Sequence, residues 1–161
     1  MKLFLRRDKS SEKSRFIVYD DKGDTKYYVK GRRNTATDKM VITDIYGKTL
    51  LTLRVAPFQY FYIFSVKGEK RHFVLTLSGL PTRAEFRFHG ITWYVSDFSP
   101  ERNLTVSDID KSVVMTQISK SSSYDYHELT INKNECELYC VATAICADVV
   151  NYLTLRNFAT V

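Results

Sequence analysis

The chain has few of the residues that usually break up regular structure or carry out chemistry. Its 161 residues include three prolines, three cysteines and three histidines. So few prolines favour hydrogen-bonded strands over irregular structure. The cysteines (Cys136, Cys140 and Cys146) crowd into one segment. Their odd number and shared helix exclude a disulfide framework and suggest reduced, buried thiols in a cytoplasmic protein. No charge-free stretch is long enough to span a bilayer. The most apolar one, Leu138 to Ala147, has ten residues, whereas a spanning helix needs about 20. Met1 to Leu5 begins like an export signal, but Arg6, Arg7 and Asp8 end the apolar run. Phosphate-cradling glycine loops, HExxH and nucleophile-elbow motifs are all missing. Acidic residues are the minority, 18 against 24 lysines and arginines, giving a net charge of +6. That charge favours anionic partners without choosing among them. Specific nucleic-acid binding would need a denser basic stripe with stacking aromatics.

What the chain does have is strand residues. Eleven tyrosines and ten phenylalanines accompany a hydrophobic content of 44%. A hairpin pattern of two β-branched or aromatic runs around a polar turn recurs about six times. It begins with FIVYDDKGDTKYYV and MVITDIYGKTLLTLRV. Turns at Gly23, Gly47, Gly68, Gly90 and Asp110 keep a spacing of roughly 20 to 24 residues. Strands are expected at about 2–6, 15–19, 25–30, 39–43, 48–55, 59–65, 70–77, 82–88, 91–97, 102–107, 112–119 and 124–131. Asp20 and Asp44 suit side-chain-capped turns, Val66 to Gly68 reads as a turn, and His89-Gly90 suits a two-residue connection. No linker composition divides the chain, so residues 1–161 read as one domain.

The last segment differs. From about 135 to 152 the chain reads as a helix apolar on nearly every side, with Asn132 or Asn134 as cap and Glu135 and Glu137 at its positive end. Such a helix must be covered. A closed sheet of about twelve strands is too wide for its own side chains to fill, and a helix about 10–12 Å across fits that lumen. The predicted fold is a closed antiparallel barrel of about twelve strands threaded by its own C-terminal helix.

Particular residues carry a family resemblance. FIVYDDKGDTKYYVKG (Phe16, Asp20, Gly23, Val29, Gly31) and MVITDIYGKTLL (Asp44, Gly47) resemble the opening hairpins of the LURP-one-related group of tubby-like barrels. Gln117-Ile118-Ser119-Lys120 resembles its I-S-K strand, and ATAICAD, ending in Asp148, its Ala/Ile-rich helix. Residues 56 to 105 match in rhythm more than in residues, and SSSYD replaces the aromatic-Gly that follows I-S-K. The group shares its fold with phospholipid scramblases, and tubby-like domains bind phosphoinositides. The resemblance therefore implies the tubby-like barrel and a non-enzymatic binding module for an anionic ligand, such as a phospholipid headgroup or phosphorylated metabolite. Many small bacterial members of the group have no assigned activity, and this chain resembles those most. The alternatives are scramblase-like lipid handling or a protein-interaction scaffold. No site of the family aligns residue by residue.

Candidate site residues come from the charge pattern. Lys30, Arg32 and Arg33 surround Gly31 at a strand end, with Lys39 beyond the following loop. At a barrel mouth these four could hold a phosphate headgroup. Arg6, Arg7, Lys9, Lys13 and Arg15 flank the first loop. Phe58 to Phe64 is aromatic on both strand faces, leaving either Tyr60, Tyr62 and Phe64 or Phe61 and Ile63 outward as a surface for a partner. His72, His89 and His127 lie in separate hairpins and read as ordinary strand or turn residues. Cys136 and Cys140 lie four apart on one helix face and read as inert buried thiols. No cofactor, metal site or catalytic group is expected. The expected location is the cytoplasm, as a soluble protein or one held peripherally at a membrane.

Overall fold

A computed structural model describes residues 1–10, 14–31, 39–57, 61–78, 85–99, 103–120 and 126–159. Side chains are described within those bounds except at 14, 57 and 149–159. Twelve strands follow one another: β1 (Lys2–Arg7), β2 (Ser14–Asp20), β3 (Thr25–Gly31), β4 (Lys39–Thr43), β5 (Thr49–Pro57), β6 (Phe61–Gly68), β7 (His72–Ser78), β8 (Glu85–His89), β9 (Tyr94–Phe98), β10 (Leu104–Ser107), β11 (Val113–Ser119) and β12 (Tyr126–Ile131). A 3₁₀ turn, Asn134–Cys136, leads into helix α1 (Glu137–Ala159). Each strand pairs with its sequence neighbour, and β1 pairs with β12, so the sheet closes. Every pairing is antiparallel. Closure removes the exposed edges that an open sheet of this size would present. The thinnest joint is β8 to β9, bridged at Arg87 and Tyr94. Behind it Trp93 packs on Phe73 and Phe88, at ring centroid distances of 6.1 and 6.0 Å.

The twofold strand period decides which side chains face the lumen. Met40 and Ile42 point inward from β4, Leu51, Leu53 and Val55 from β5, and Phe73, Leu75 and Leu77 from β7, all buried. Against them stands α1, whose residues from Tyr139 to Asp148 are buried around the whole circumference. Ala142, Ala144 and Ala147 keep it narrow. The helix has no polar face because none of its described length after Leu138 meets water. Burying each Val, Leu or Ile of this core contributes about 1.5–3 kcal/mol, so neither sheet nor helix is complete without the other.

The boundaries bring corrections. Gly68 is the last residue of β6 and the turn is Glu69 to Arg71. A Cβ on Gly68 would sit 2.6 Å from the Tyr139 hydroxyl, so this glycine serves close packing against the helix. The β8–β9 connection spans residues 90–93, longer than the two expected, because Trp93 must reach the core. The left-handed residue of the β10–β11 turn is Lys111 (φ 66°), next to the expected Asp110. Neither asparagine caps the helix. Lys133 precedes the 3₁₀ turn without a side-chain cap, and the Asn132 side chain donates instead to the Val113 carbonyl at 3.0 Å. The helix also continues beyond the expected 152 to Ala159.

Candidate functional site

The antiparallel pairing alternates the two ends of the strands. The turns β2–β3, β4–β5, β6–β7, β8–β9 and β10–β11 share one mouth with the start of α1. Asp148 lies toward the far mouth, beside Arg7 at the end of β1. Between them, on the outer face of β4–β6, register assembles a group of cations. Lys39 faces Arg54, and Arg54 faces Ser65 on its other side. Two residues along, Thr52 faces Lys67. Directly opposed residues are about 5 Å apart and diagonal ones about 7–8 Å. These positions, with Lys48 and Lys70 from the neighbouring turns, line a groove of about 970 Å³ that runs over the barrel rim to the first turn of α1. That volume is within the range of small-molecule sites.

Charge balance within the groove favours anions. Among the described residues, Lys39, Lys48, Arg54, Lys67 and Lys70 have no carboxylate partner. The groove also holds Glu69, Glu135 and Glu137. Glu137 is engaged, by Lys26 Nζ at 2.6 Å and by the Tyr27 hydroxyl at 2.8 Å. Burial, then the hydrogen bond to Glu137, pushes the Tyr27 phenol well above its ordinary pKa, so it stays a donor. Thr49, Thr52 and Ser65 add hydroxyls. The floor is held by Tyr139, whose hydroxyl accepts the Arg71 backbone N–H at 2.9 Å.

The basic residues picked from the sequence are partly brought together. Lys30 is exposed, with its ammonium 5.9 Å from the Tyr28 ring centroid. It faces Val41, so it is a diagonal neighbour of Lys39 on the same outer face. Arg32, Arg33 and Lys13 lie outside the described residues. Sequence reading missed Arg54 and Lys67, single charges in strands whose neighbours only register reveals. Arg7, one of the basic residues flanking the first loop, turns inward to Asp148. On β6, Phe61 (38% exposed) and Ile63 face outward while Tyr62 and Phe64 face the core. The remaining aromatics, Phe58 to Tyr60, lie outside the described residues.

The histidines do not converge. His72 Nε2 lies 3.0 Å from Ser65 Oγ, and His89 Nε2 3.2 Å from Thr76 Oγ1, both on the outer surface. His127 is no ordinary strand residue. It is fully buried, with Nε2 3.1 Å from Asp148 Oδ1, and the Arg7 guanidinium pairs with the other carboxylate oxygen. The Arg7 guanidinium also lies 5.1 Å from the Phe16 ring centroid. This centre ties β1 and β12 to the helix. Among the described residues, His127 Nδ1 and Gln117 Oε1 are buried without hydrogen-bond partners. The three cysteines are free and buried, and burial raises each thiol above its ordinary pKa. Among the described residues no group of three or more His, Cys, Asp or Glu side chains is arranged to hold a metal ion. No helix of the described residues is long and apolar enough to cross a membrane.

Comparison with known proteins fits this architecture. The family model described as LURP-one-related matches residues 1–148. The uncharacterized protein YxjI of Bacillus subtilis (strain 168) is 26% identical over 154 residues, covering 94% of each chain. A protein of known X-ray structure from Arabidopsis thaliana shares the fold, with a TM-score of 0.58 at 16% identity, over 92% of this chain and 91% of its own.

Proposed function

The chain belongs to the LURP-one-related family, and from that premise we propose that it is a non-enzymatic module that binds an anionic ligand, a phospholipid headgroup or phosphorylated metabolite, in the groove on β4–β6. One observation carries the reading: Lys39, Lys48, Arg54, Lys67 and Lys70 line a single groove, beside three hydroxyls, with no carboxylate partners among the described residues. Cations held on rigid strands beside hydroxyl donors make a preorganised phosphate site. Lys30 extends the same face, and Arg32 and Arg33, in the β3–β4 connection, belong to the proposed site as further cations. Lipid translocation fits less well, since the described side chains of the apolar helix from Tyr139 to Asp148 are buried in the barrel.

The test is binding of pyrophosphate by calorimetry, and of phosphatidylcholine vesicles with and without phosphatidylserine by co-sedimentation. Each Lys or Arg near an anionic surface contributes about 1 kcal/mol. Arg54→Glu/Lys67→Glu should therefore weaken binding at least about tenfold while far-UV circular dichroism and thermal melting stay as in wild type. Arg32→Glu/Arg33→Glu should weaken it in the same direction. Absence of binding by wild type, or equal binding by Arg54→Glu/Lys67→Glu, refutes the groove as an anion site.

A further inference from the structure

Three turns at the helix-start mouth have the same construction. In each, the first residue's N–H bonds to the carbonyl four residues on: Asp20 to Asp24 at 2.9 Å, Asp44 to Lys48 at 3.0 Å and Asp108 to Ser112 at 2.9 Å. In each, an aspartate locks the backbone. Asp20 Oδ1 accepts from Lys22 N and Asp24 N, and Asp44 Oδ1 from Tyr46 N and Lys48 N. Asp108 and Asp110 divide the same task in the third turn. The two tip positions are solvent-facing in all three, and in the first they are Asp21 and Lys22. In the other two they hold Ile45 (51% exposed), Tyr46 (88%), Ile109 (76%) and the exposed Asp110. The turn itself does not require apolar tips, since polar ones build it equally well. Of the large hydrophobic residues left exposed, Met1, Tyr94 and Val113 also lie at this mouth.

We infer that the helix-start mouth docks on a lipid bilayer surface, with Ile45, Tyr46 and Ile109 entering the headgroup layer. The inference rests on the proposed function and deepens it, because Lys48 joins the apolar tip directly to the groove and makes the bound anion a lipid phosphate. The β4–β5 and β10–β11 turns stand six strands apart in a ring of twelve, on opposite sides of the mouth. A rigid protein partner would need two separate pockets at a matching distance. A headgroup layer admits rigid prongs at any spacing, and Tyr with Ile suits its mixed polarity. Lys22, Lys48, Lys70 and Lys111 stand in the same ring of turns, offset by Asp21, Asp24, Glu69, Asp110 and Glu135. The apolar tips, more than net charge, therefore distinguish this end.

The experiment adds a reporter at the tip, Tyr46→Trp, read against the buried native Trp93. On phosphatidylcholine–phosphatidylserine vesicles the added indole should shift to the blue and be quenched by brominated lipid. Ile45→Ser/Ile109→Ser should weaken vesicle binding about tenfold or more, equivalent to about 1.4 kcal/mol, while pyrophosphate binding stays as in wild type. If the added indole remains in water, or the serine variant binds vesicles as wild type does, the docking inference falls, and the groove still stands on its pyrophosphate binding. Wild type that binds pyrophosphate but no vesicles overturns the docking inference alone. If neither probe binds, both readings fall.

Discussion

Removal of the Asp148 carboxylate should be among the most damaging single changes in the molecule, although it deletes only a few atoms near one end of the lumen. Asp148 is 1% exposed and His127 fully buried, whereas the Arg7 side chain keeps 19% exposure. Asp148→Ala removes a carboxylate partner from Arg7 and leaves His127 Nε2 buried without the Asp148 acceptor. Breaking a buried ion pair from one side costs about 3–5 kcal/mol, and an unsatisfied buried donor about 1–3 kcal/mol. Arg7 can recover some hydration at the mouth, so a total of about 4 kcal/mol is expected. For a chain of this size that lowers the melting temperature by about 8–16 °C. The assay is urea unfolding followed by circular dichroism and by the fluorescence of Trp93, the single tryptophan. Asp148→Asn keeps the shape and one acceptor, so it should fall between wild type and alanine. If the centre acts as one unit, Arg7→Met with Asp148→Ala should cost less than the two single changes added together, by about 1 kcal/mol or more. An Asp148→Ala variant within about 0.5 kcal/mol of wild type, or strict additivity with Arg7→Met, would refute the assignment of this centre as the helix anchor.

Other consequences are simpler to measure. Cys136, Cys140 and Cys146 are buried with raised pKa values, so a thiol reagent should label all three quickly in denaturant and slowly in the native protein; rapid native labelling of any of them would contradict their packing against the barrel wall. Asp108 has its pKa lowered from an ordinary value near 4 to about 2, chiefly by the hydrogen bond from Lys133 and then that from Thr92. A depressed carboxylate contributes stability above its unfolded pKa and loses it as pH falls from about 4 through about 2. Because Asp108 sits at a solvent-accessible turn, the contribution should stay below about 1 kcal/mol. Asp108→Asn should flatten the acid limb of the stability profile by that amount, and an unchanged limb would count against the pairing.

Much of the fold was legible because strands and turns write local rules into the chain. The twofold alternation in MVIT and LLTLRV, and aspartates placed to hold turn backbones, located all twelve strands to within a few residues. The buried helix was readable for a similar reason, since apolar residues on every side leave no face for water. Where local reading failed, a contact distant in sequence had intervened. Gly68 looked like a turn glycine, yet it ends β6, where the Tyr139 hydroxyl leaves no room for a Cβ. Asn132 looked like a helix cap, but its side chain donates to the Val113 carbonyl on the neighbouring hairpin.

Sequence alone thus determined the barrel, the plug and a cationic balance, because hydrophobic periodicity and net charge depend on residue identity and local spacing. The site was a matter for tertiary structure. Lys39, Arg54 and Lys67 are far apart in sequence and become neighbours only when the register of β4–β6 is set. Arg7 and Asp148 are separated by 141 positions, and nothing in either neighbourhood marks one basic residue among several as the one that turns inward. Closure of the ring at β1 and β12 brings Arg7 and His127 to the same wall of the lumen, and the length of α1 carries Asp148 to that level. Those positions follow from where the chain closes, which no local stretch of it encodes.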